Sequence, residues 1–203
     1  MGKSYTSYEE MISDPEWIKR LTSLNKALFS SMKKNIDEPS LNGNLFYAHK
    51  DPAFCDTDLI PQFETKRRNL FNLAKHVSTV MEVGVNGGHS LFLMLSSNPN
   101  LKVIGIDVAE KLVESWAPVD KYVPAAFRWL EKEFPLQCTF IKGNSLVEVP
   151  KFCLENPSMV VDAVHLDGAK DTHLRELLSI LPLMRKNGFV IFDDANTLSL
   201  IHI

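Results

Sequence analysis

The stretch Glu82-Val83-Gly84-Val85-Asn86-Gly87-Gly88-His89-Ser90 decides how this chain folds. Ahead of it, Thr79-Val80-Met81-Glu82-Val83 is a largely apolar, partly β-branched run that predicts a strand. Behind it, Ser90 to Ser96 starts a helix. A glycine-rich turn between a strand and a helix lets the backbone approach a ligand closely, and the helix N-terminus aims N–H groups at it. The dinucleotide fingerprint G-x-G-x-x-G fails, because Asn86 stands two positions after Gly84. The pattern is instead E-x-G-x-x-x-G-x-S. Glycines here would also serve close helix–strand packing alone, so the turn needs support from elsewhere in the chain.

Downstream, Leu101 to Ile106 predicts a second strand that ends in Asp107. An acid about 20 residues beyond such glycines accepts hydrogen bonds from ribose hydroxyls. The plainer role of Asp107 is a cap for the segment starting near Ala109. A long helical segment comes next, interrupted at Pro118 and Pro124 and ending near Phe134. Cys138 to Ile141 is a third strand, residues 146–155 a helix, and Met159 to Leu166 a fourth strand. A helix is expected from Asp171 to Lys186, with Leu174, Leu177, Leu178 and Leu181 on one face. Pro182 kinks it and Asn187-Gly188 ends it, before a fifth strand over Phe189 to Phe192. Strands alternating with helices specify an α/β fold, a Rossmann-like doubly wound parallel sheet that binds ligands at the carboxyl ends of its strands. Gly143-Asn144-Ser145 falls at that edge, where Asn144 either contacts an adenine or caps the next helix.

Upstream, residues 1–62 read as an N-terminal helical segment distinct from the rest of the chain. Asp14-Pro15-Glu16 is a cap with proline at the first helical position. Trp17, Ile18, Leu21, Leu24, Leu28 and Met32 then recur at helical spacing. This predicts an amphipathic helix packed on the core, with a lid or a homodimer contact as the alternative. Residues 36–62, with Pro39, Gly43, Pro52 and Pro61, read mostly as loop, and Pro61 argues against a central strand at Leu59-Ile60.

Composition bounds the function. The chain has 203 residues, 45% hydrophobic and 23% charged, which suits one globular domain. Lys+Arg total 22 against 25 Asp+Glu, a net charge of −3, so nothing marks a nucleic-acid binder. Cys55, Cys138 and Cys153 are few and widely spaced, which is neither a disulfide framework nor a zinc site and fits a reducing, cytoplasmic setting. The N-terminus lacks the apolar region of a secretory signal, and the densest apolar run, Leu91 to Leu95, is far short of a membrane span. Met1-Gly2 with Thr6 meets the loose myristoylation pattern, which is short enough to arise by chance.

From residue 63 to 197 the sequence resembles the class I S-adenosylmethionine-dependent methyltransferases. It is most similar to the O-methyltransferase branch containing catechol O-methyltransferase and the macrolide-sugar O-methyltransferases. The resemblance rests on the E-x-G-x-x-x-G-x-S turn and on the acid at the second strand end. It implies that Glu82, Gly84, Gly88 and Ser90 surround the methionine end of the cofactor, that Asp107 binds its ribose, and that Asn144 lies near its adenine. Asp167 is expected beside the cofactor as well.

Two strand ends carry the remaining chemistry. Val164-His165-Leu166-Asp167-Gly168-Ala169-Lys170 closes the fourth strand and Ile191-Phe192-Asp193-Asp194 the fifth. If these strands are neighbours, Asp167, Asp193 and Asp194 converge and repel unless something positive sits between them. Oxygen-only ligands suit a hard cation such as Mg²⁺. The plainer reading is that they cap helices or touch the cofactor without metal. Asp167-x-x-Lys170 and Asp193-Asp194 look like the catechol-type D-x-x-K and D-N, with Asp194 in place of asparagine. The resemblance makes Lys170 the general base, which requires it to lose a proton that lysine normally keeps at neutral pH. His173 is a rival base, His165 reads as a buried, hydrogen-bonded histidine, and His89 sits within reach of a cofactor with no assigned role. The expected activity is Mg²⁺-assisted methylation of a small-molecule hydroxyl. The alternatives are a metal-independent methyltransferase and a non-catalytic nucleoside-binding module.

The family sheet ends in an antiparallel hairpin that too few residues remain to build after Asp193. Leu198 to Ile203 fits no family pattern and is expected to be a non-native tail. The methyltransferase domain is therefore expected over 63–197, incomplete and lacking its last two strands.

Overall fold

Five β-type runs assemble side by side in the computed structural model, which describes residues 3–32, 40–41, 45–47 and 59–193. They are β1 (Thr79–Val83), β2 (Lys102–Asp107), β3 (Cys138–Lys142), β4 (Val161–Leu166) and β5 (Met184–Phe192). The sheet order is β3-β2-β1-β4-β5 and every pairing is parallel. The strand order reverses beside β1, so the carboxyl ends of β1, β2 and β4 open a crevice where such sheets take ligands. Central in a parallel sheet, β1 and β4 are buried along nearly their whole length, and Glu82, Asp162 and His165 are the polar side chains enclosed there.

One face is covered by α3 (Glu64–Ala74), α4 (His89–Ser97) and α5 (Val119–Glu133), joined by α1 (Tyr8–Ser13) and α2 (Pro15–Met32). Ser7 caps α1 by accepting the Glu10 N–H at 3.1 Å, and Asp14 caps α2 by accepting the Glu16 N–H at 3.0 Å. The expected stripe on α2 is the buried one: Trp17, Leu21, Leu24, Leu28 and Met32 face the core, and α2 lies along α5. Trp17 sits between the rings of Phe46 and Phe92, at centroid distances of 5.8 and 5.4 Å. Buried Arg67 on α3 ties this region together, donating to Tyr8 Oη and to the carbonyls of Leu45 and Ile60. The other face carries α6 (Ser145–Glu155) and α7 (His173–Ile180) over a second core with Met81, Ile104, Val161 and Val164.

Three expectations need correction. The helix expected over 171–186 is only α7, because Pro182 lies in a 3₁₀ turn, Leu181–Leu183, that ends it. The fifth strand starts at Met184, and Asn187-Gly188 is a bulge inside it. Pairing jumps from Val161↔Met184 to Ala163↔Phe189, with Asn187 at φ 62°. Gly188 is needed there, since a Cβ would lie 2.9 Å from the Asp162 carbonyl oxygen. Thirdly, residues 109–118 form no helix, and α5 begins only after Pro118, with Pro124 inside it. Asp194, Cys55, most of the loop expected over 36–62, and the tail 198–203 lie outside the described residues. Leu59-Ile60 forms no strand.

Candidate functional site

A cavity of about 800 Å³ opens at the carboxyl ends of the strands. Its wall includes Gly84 to Gly87, His89, Ser90, Asp107, Asn144, Asp167, Lys170 and Asp193. Most of the residues singled out from the sequence thus meet around one space. Glu82 and Gly88 lie behind that wall.

The turn explains its glycines. Gly84, at φ +86°, passes so close to the end of β4 that a Cβ would sit 2.6 Å from the Asp167 carbonyl. Gly88, at φ +74°, has Leu130 of α5 where a Cβ would go, at 2.8 Å. Gly88 therefore serves helix packing, and Gly84 the close approach of the turn to the backbone at the end of β4. Asn86 is held from both ends: its N–H donates to Asp107 at 2.9 Å and its side-chain oxygen accepts from Tyr122 Oη at 2.5 Å.

Asp107 caps no helix, since none starts near Ala109; its carboxylate instead holds two backbone N–H groups and faces the cavity. One oxygen takes the Asn86 N–H and the other the Ala109 N–H, at 2.7 Å. A carboxylate has about four acceptor sites, so capacity for ligand hydroxyls remains. Burial raises its pKa. Asn144 caps α6, accepting the Leu146 N–H at 2.9 Å, while lining the cavity.

Glu82 is fully buried and anchors a relay. Ser90 Oγ donates to one oxygen at 2.8 Å and His165 Nδ1 meets the other at 2.7 Å. Burial works against a charged His165, yet the Glu82 contact and charge raise its pKa. His165 is thus the buried, hydrogen-bonded histidine its position suggests. His173 is buried beside Phe192, its ring nitrogens lack partners among the described residues, and it stands off the cavity wall.

Asp167 and Asp193 converge as expected for neighbouring strand ends. Burial, a hydrogen bond shared with Asp193 and the Asp193 charge raise the Asp167 pKa to about 8. Burial opposes ionisation of Asp193 too, but the Asp167 hydrogen bond and the Lys66 contacts hold it well below the usual range. The two carboxyls therefore compete for ionisation, and Asp167 is the one that holds a proton more tightly. Lys170 Nζ lies 3.6 Å from Asp167. Lys66, on α3, forms an ion pair with Asp193 and lines the cavity. Sequence reading missed Lys66, because Lys66-Arg67-Arg68 looks like a solvated helical face. A ring nitrogen of His165 and one oxygen each of Asp167 and Asp193 lie within 4.8 Å of one another, a spacing that fits a cation.

Comparison with known proteins gives a family and a fold. A family model described as a methyltransferase domain matches residues 81–195, more than half of the chain. No curated protein matches. Among solved structures, the O-methyltransferase TomG from Streptomyces achromogenes, which acts in tomaymycin synthesis, superposes with a TM-score of 0.55 at 18% identity, covering 84% of this chain and 64% of that one. An O-methyltransferase from Bacillus cereus gives 0.56 at 16%, covering 84% and 65%. CalS11, a TDP-rhamnose 3′-O-methyltransferase of calicheamicin biosynthesis, gives 0.52 at 19%, covering 91% and 80%. The chain spans under two thirds of the length of the first two. At these identities the likeness is one of fold.

Proposed function

This chain belongs to the methyltransferase domain family, and from that premise we propose that it transfers the methyl group of S-adenosylmethionine to a hydroxyl of a small molecule. The observation that carries the reading is the convergence of the Gly84 turn, Asp107, Asn144 and the Asp167–Asp193–Lys170 group around one cavity at the strand ends. S-adenosylmethionine, when bound, supplies an electrophilic methyl on a sulfonium. The chain does the rest. Asp107 accepts the ribose hydroxyls while its other contacts keep the turn in place. The Gly84 turn admits the methionine portion, and Asn144 borders the adenine. Lys170, beside Asp167, acts in its neutral amine form and takes the proton from the attacking hydroxyl, becoming an ammonium. Much of the acceleration comes from holding the reactants in line.

Asp167 and Asp193 would hold a Mg²⁺ ion, which would acidify the acceptor's hydroxyl. The approach of ligand atoms of His165, Asp167 and Asp193 to within 4.8 Å of one another supports this, since a divalent cation would relieve the repulsion between the carboxylates. One observation favours a metal-independent form: Lys66 already places a positive charge on Asp193.

Calorimetric titration with S-adenosylhomocysteine tests the core of the reading. The chain binds it, and Asp107→Ala weakens binding about 10- to 100-fold, the worth of a charged hydrogen bond. No binding by the unaltered chain overturns the proposal. Methyl transfer that persists undiminished in chelator selects the metal-independent form.

A further inference from the structure

Two residues that lack a glycine's freedom hold left-handed backbone on either side of Asp107. Asn86, in the turn after β1, has φ 52°, and Ala109, just past the end of β2, has φ 48°. Residues with a Cβ enter that region at a cost, asparagine less than alanine, and stay there when their surroundings over-determine it. Both aim a backbone N–H at the same carboxylate, Asn86 at Oδ2 over 2.9 Å and Ala109 at Oδ1 over 2.7 Å. With one bond to each oxygen, the Asp107 carboxylate is fixed in a single orientation on the cavity wall. Asn86 is fixed from behind in its turn. Tyr122 Oη, on α5, donates to Asn86 Oδ1 at 2.5 Å. The side chain of Asn86 is thus tied to α5 while its N–H is tied to the end of β2. The same turn uses glycine at its other positive-φ positions, Gly84 and Gly88. At position 86 it uses a side chain instead, and that side chain has a bond to make. Tyr122 is fully buried and stands off the cavity wall, so whatever it does for a ligand it does through Asn86.

A carboxylate that reads hydroxyls must present its open lone pairs in one direction, and a direction fixed before the ligand arrives spares the cost of ordering it on binding. We propose that Tyr122 is a positioning residue for the nucleoside: through Asn86 it sets the orientation of Asp107, and so how tightly the site takes the ribose hydroxyls. The chain of contacts runs from the phenol of α5 to the amide of the turn, from the N–H of the turn to the carboxylate, and from the carboxylate to the ligand. Helix α5 thereby takes part in recognition without touching the ligand at this residue. The inference rests on the S-adenosylmethionine reading of Asp107 and adds the residue that holds Asp107 in place.

The test separates the hydroxyls from the rest of the ligand. S-adenosylhomocysteine carries both ribose hydroxyls; its 2′,3′-dideoxy analogue keeps the adenine, the thioether and the amino acid and lacks them. Both are titrated calorimetrically into the full chain, Tyr122→Phe, Asn86→Ala and the double variant. The unaltered chain is expected to prefer S-adenosylhomocysteine by about tenfold or more. Tyr122→Phe keeps the ring and its packing and removes one hydrogen bond. It is expected to weaken S-adenosylhomocysteine about 3- to 10-fold and to leave the analogue unchanged. Asn86→Ala cuts the same bond from the other side and is expected to show the same selectivity. Adding Tyr122→Phe to it costs nothing more, because two residues that act through one bond are not additive. Equal losses for both ligands mean that the tyrosine supports the turn as a whole, and overturn the assignment. Unchanged affinity for both overturns it as well, as does a full further loss in the double variant. If Tyr122→Phe fails to fold, the two-ligand comparison on Asn86→Ala decides alone. An unaltered chain that binds both ligands equally overturns the ribose role of Asp107 and that of Tyr122 with it. One that binds neither overturns the methyltransferase reading itself, a result distinct from all the others.

Discussion

Asp167 keeps a proton that an isolated aspartate gives up near pH 4, and this leaves a signature in stability. In the unfolded chain its pKa is ordinary, about 3.9; in the folded chain it is about 8. Between those values the folded state binds more protons than the unfolded one, so stability falls as pH rises from about 4 to 8. His165, also raised in the folded state, acts in the same direction above its ordinary value. Asp193 is depressed, and its contribution is gained at the acidic end and complete by about pH 5. In chelator, the melting temperature is therefore expected to drop between about pH 5 and pH 8. Asp167→Asn removes much of that slope and raises the melting temperature at the alkaline end. A flat profile for the unaltered chain would show that Asp167 is not raised in the folded state. Millimolar Mg²⁺ flattens the slope if the pair holds a cation, because the cation takes over the proton's place.

At the scale of elements, α2 is built into the core that covers one face of the sheet. Its Leu24 is completely buried between the sheet-covering helices, one residue before Asn25. Leu24→Ala is expected to cost about 2–5 kcal/mol in urea unfolding, the usual range for a leucine cavity in a core. A loss below about 1 kcal/mol would show that α2 is not integral to that core. This helix was legible in the sequence because its cap, Asp14, and its helical stripe agree with each other. The strands and the turn were legible for the same reason: β-branched runs, glycines and Asp107 all point to one edge. Two kinds of feature were not. Asn187-Gly188 requires a left-handed backbone whether it ends a helix or bulges a strand, and only the pairing of β5 with β4 chooses between them. Lys66 meets Asp193, and Asn25 meets Tyr47 and His89, through contacts made across long stretches of sequence, which no local pattern encodes. Asp107 and Asn144 had two readings each: both line the cavity, Asn144 also caps α6, and the helix that Asp107 was expected to cap does not form.

The whole molecule is asymmetric in how its sheet ends. Among the described residues β5 pairs only with β4, and its other edge has no strand partner among them. The side chains there are apolar and accessible: Phe189 is 50% exposed, and Val190 and Phe192 are 39% exposed. Leu174, Leu178 and Leu181, also exposed, extend the apolar surface onto α7 and the turn after it. An open edge with β-favouring side chains is a template for pairing with another chain, and natural proteins blunt such edges with charge. A net charge of only −3 supplies little repulsion between copies. The chain by itself is therefore expected to self-associate at high concentration through β5. Phe189→Lys puts a charge on that edge at a half-exposed position, where a substitution usually changes stability by no more than about 0.5 kcal/mol. Light scattering over a concentration series is expected to show less association for the variant, with the melting temperature within a few degrees of the unaltered chain. Association that is equal in the two chains would place the contact elsewhere, and a large fall in melting temperature would mean that Phe189 is part of the core and not of the edge.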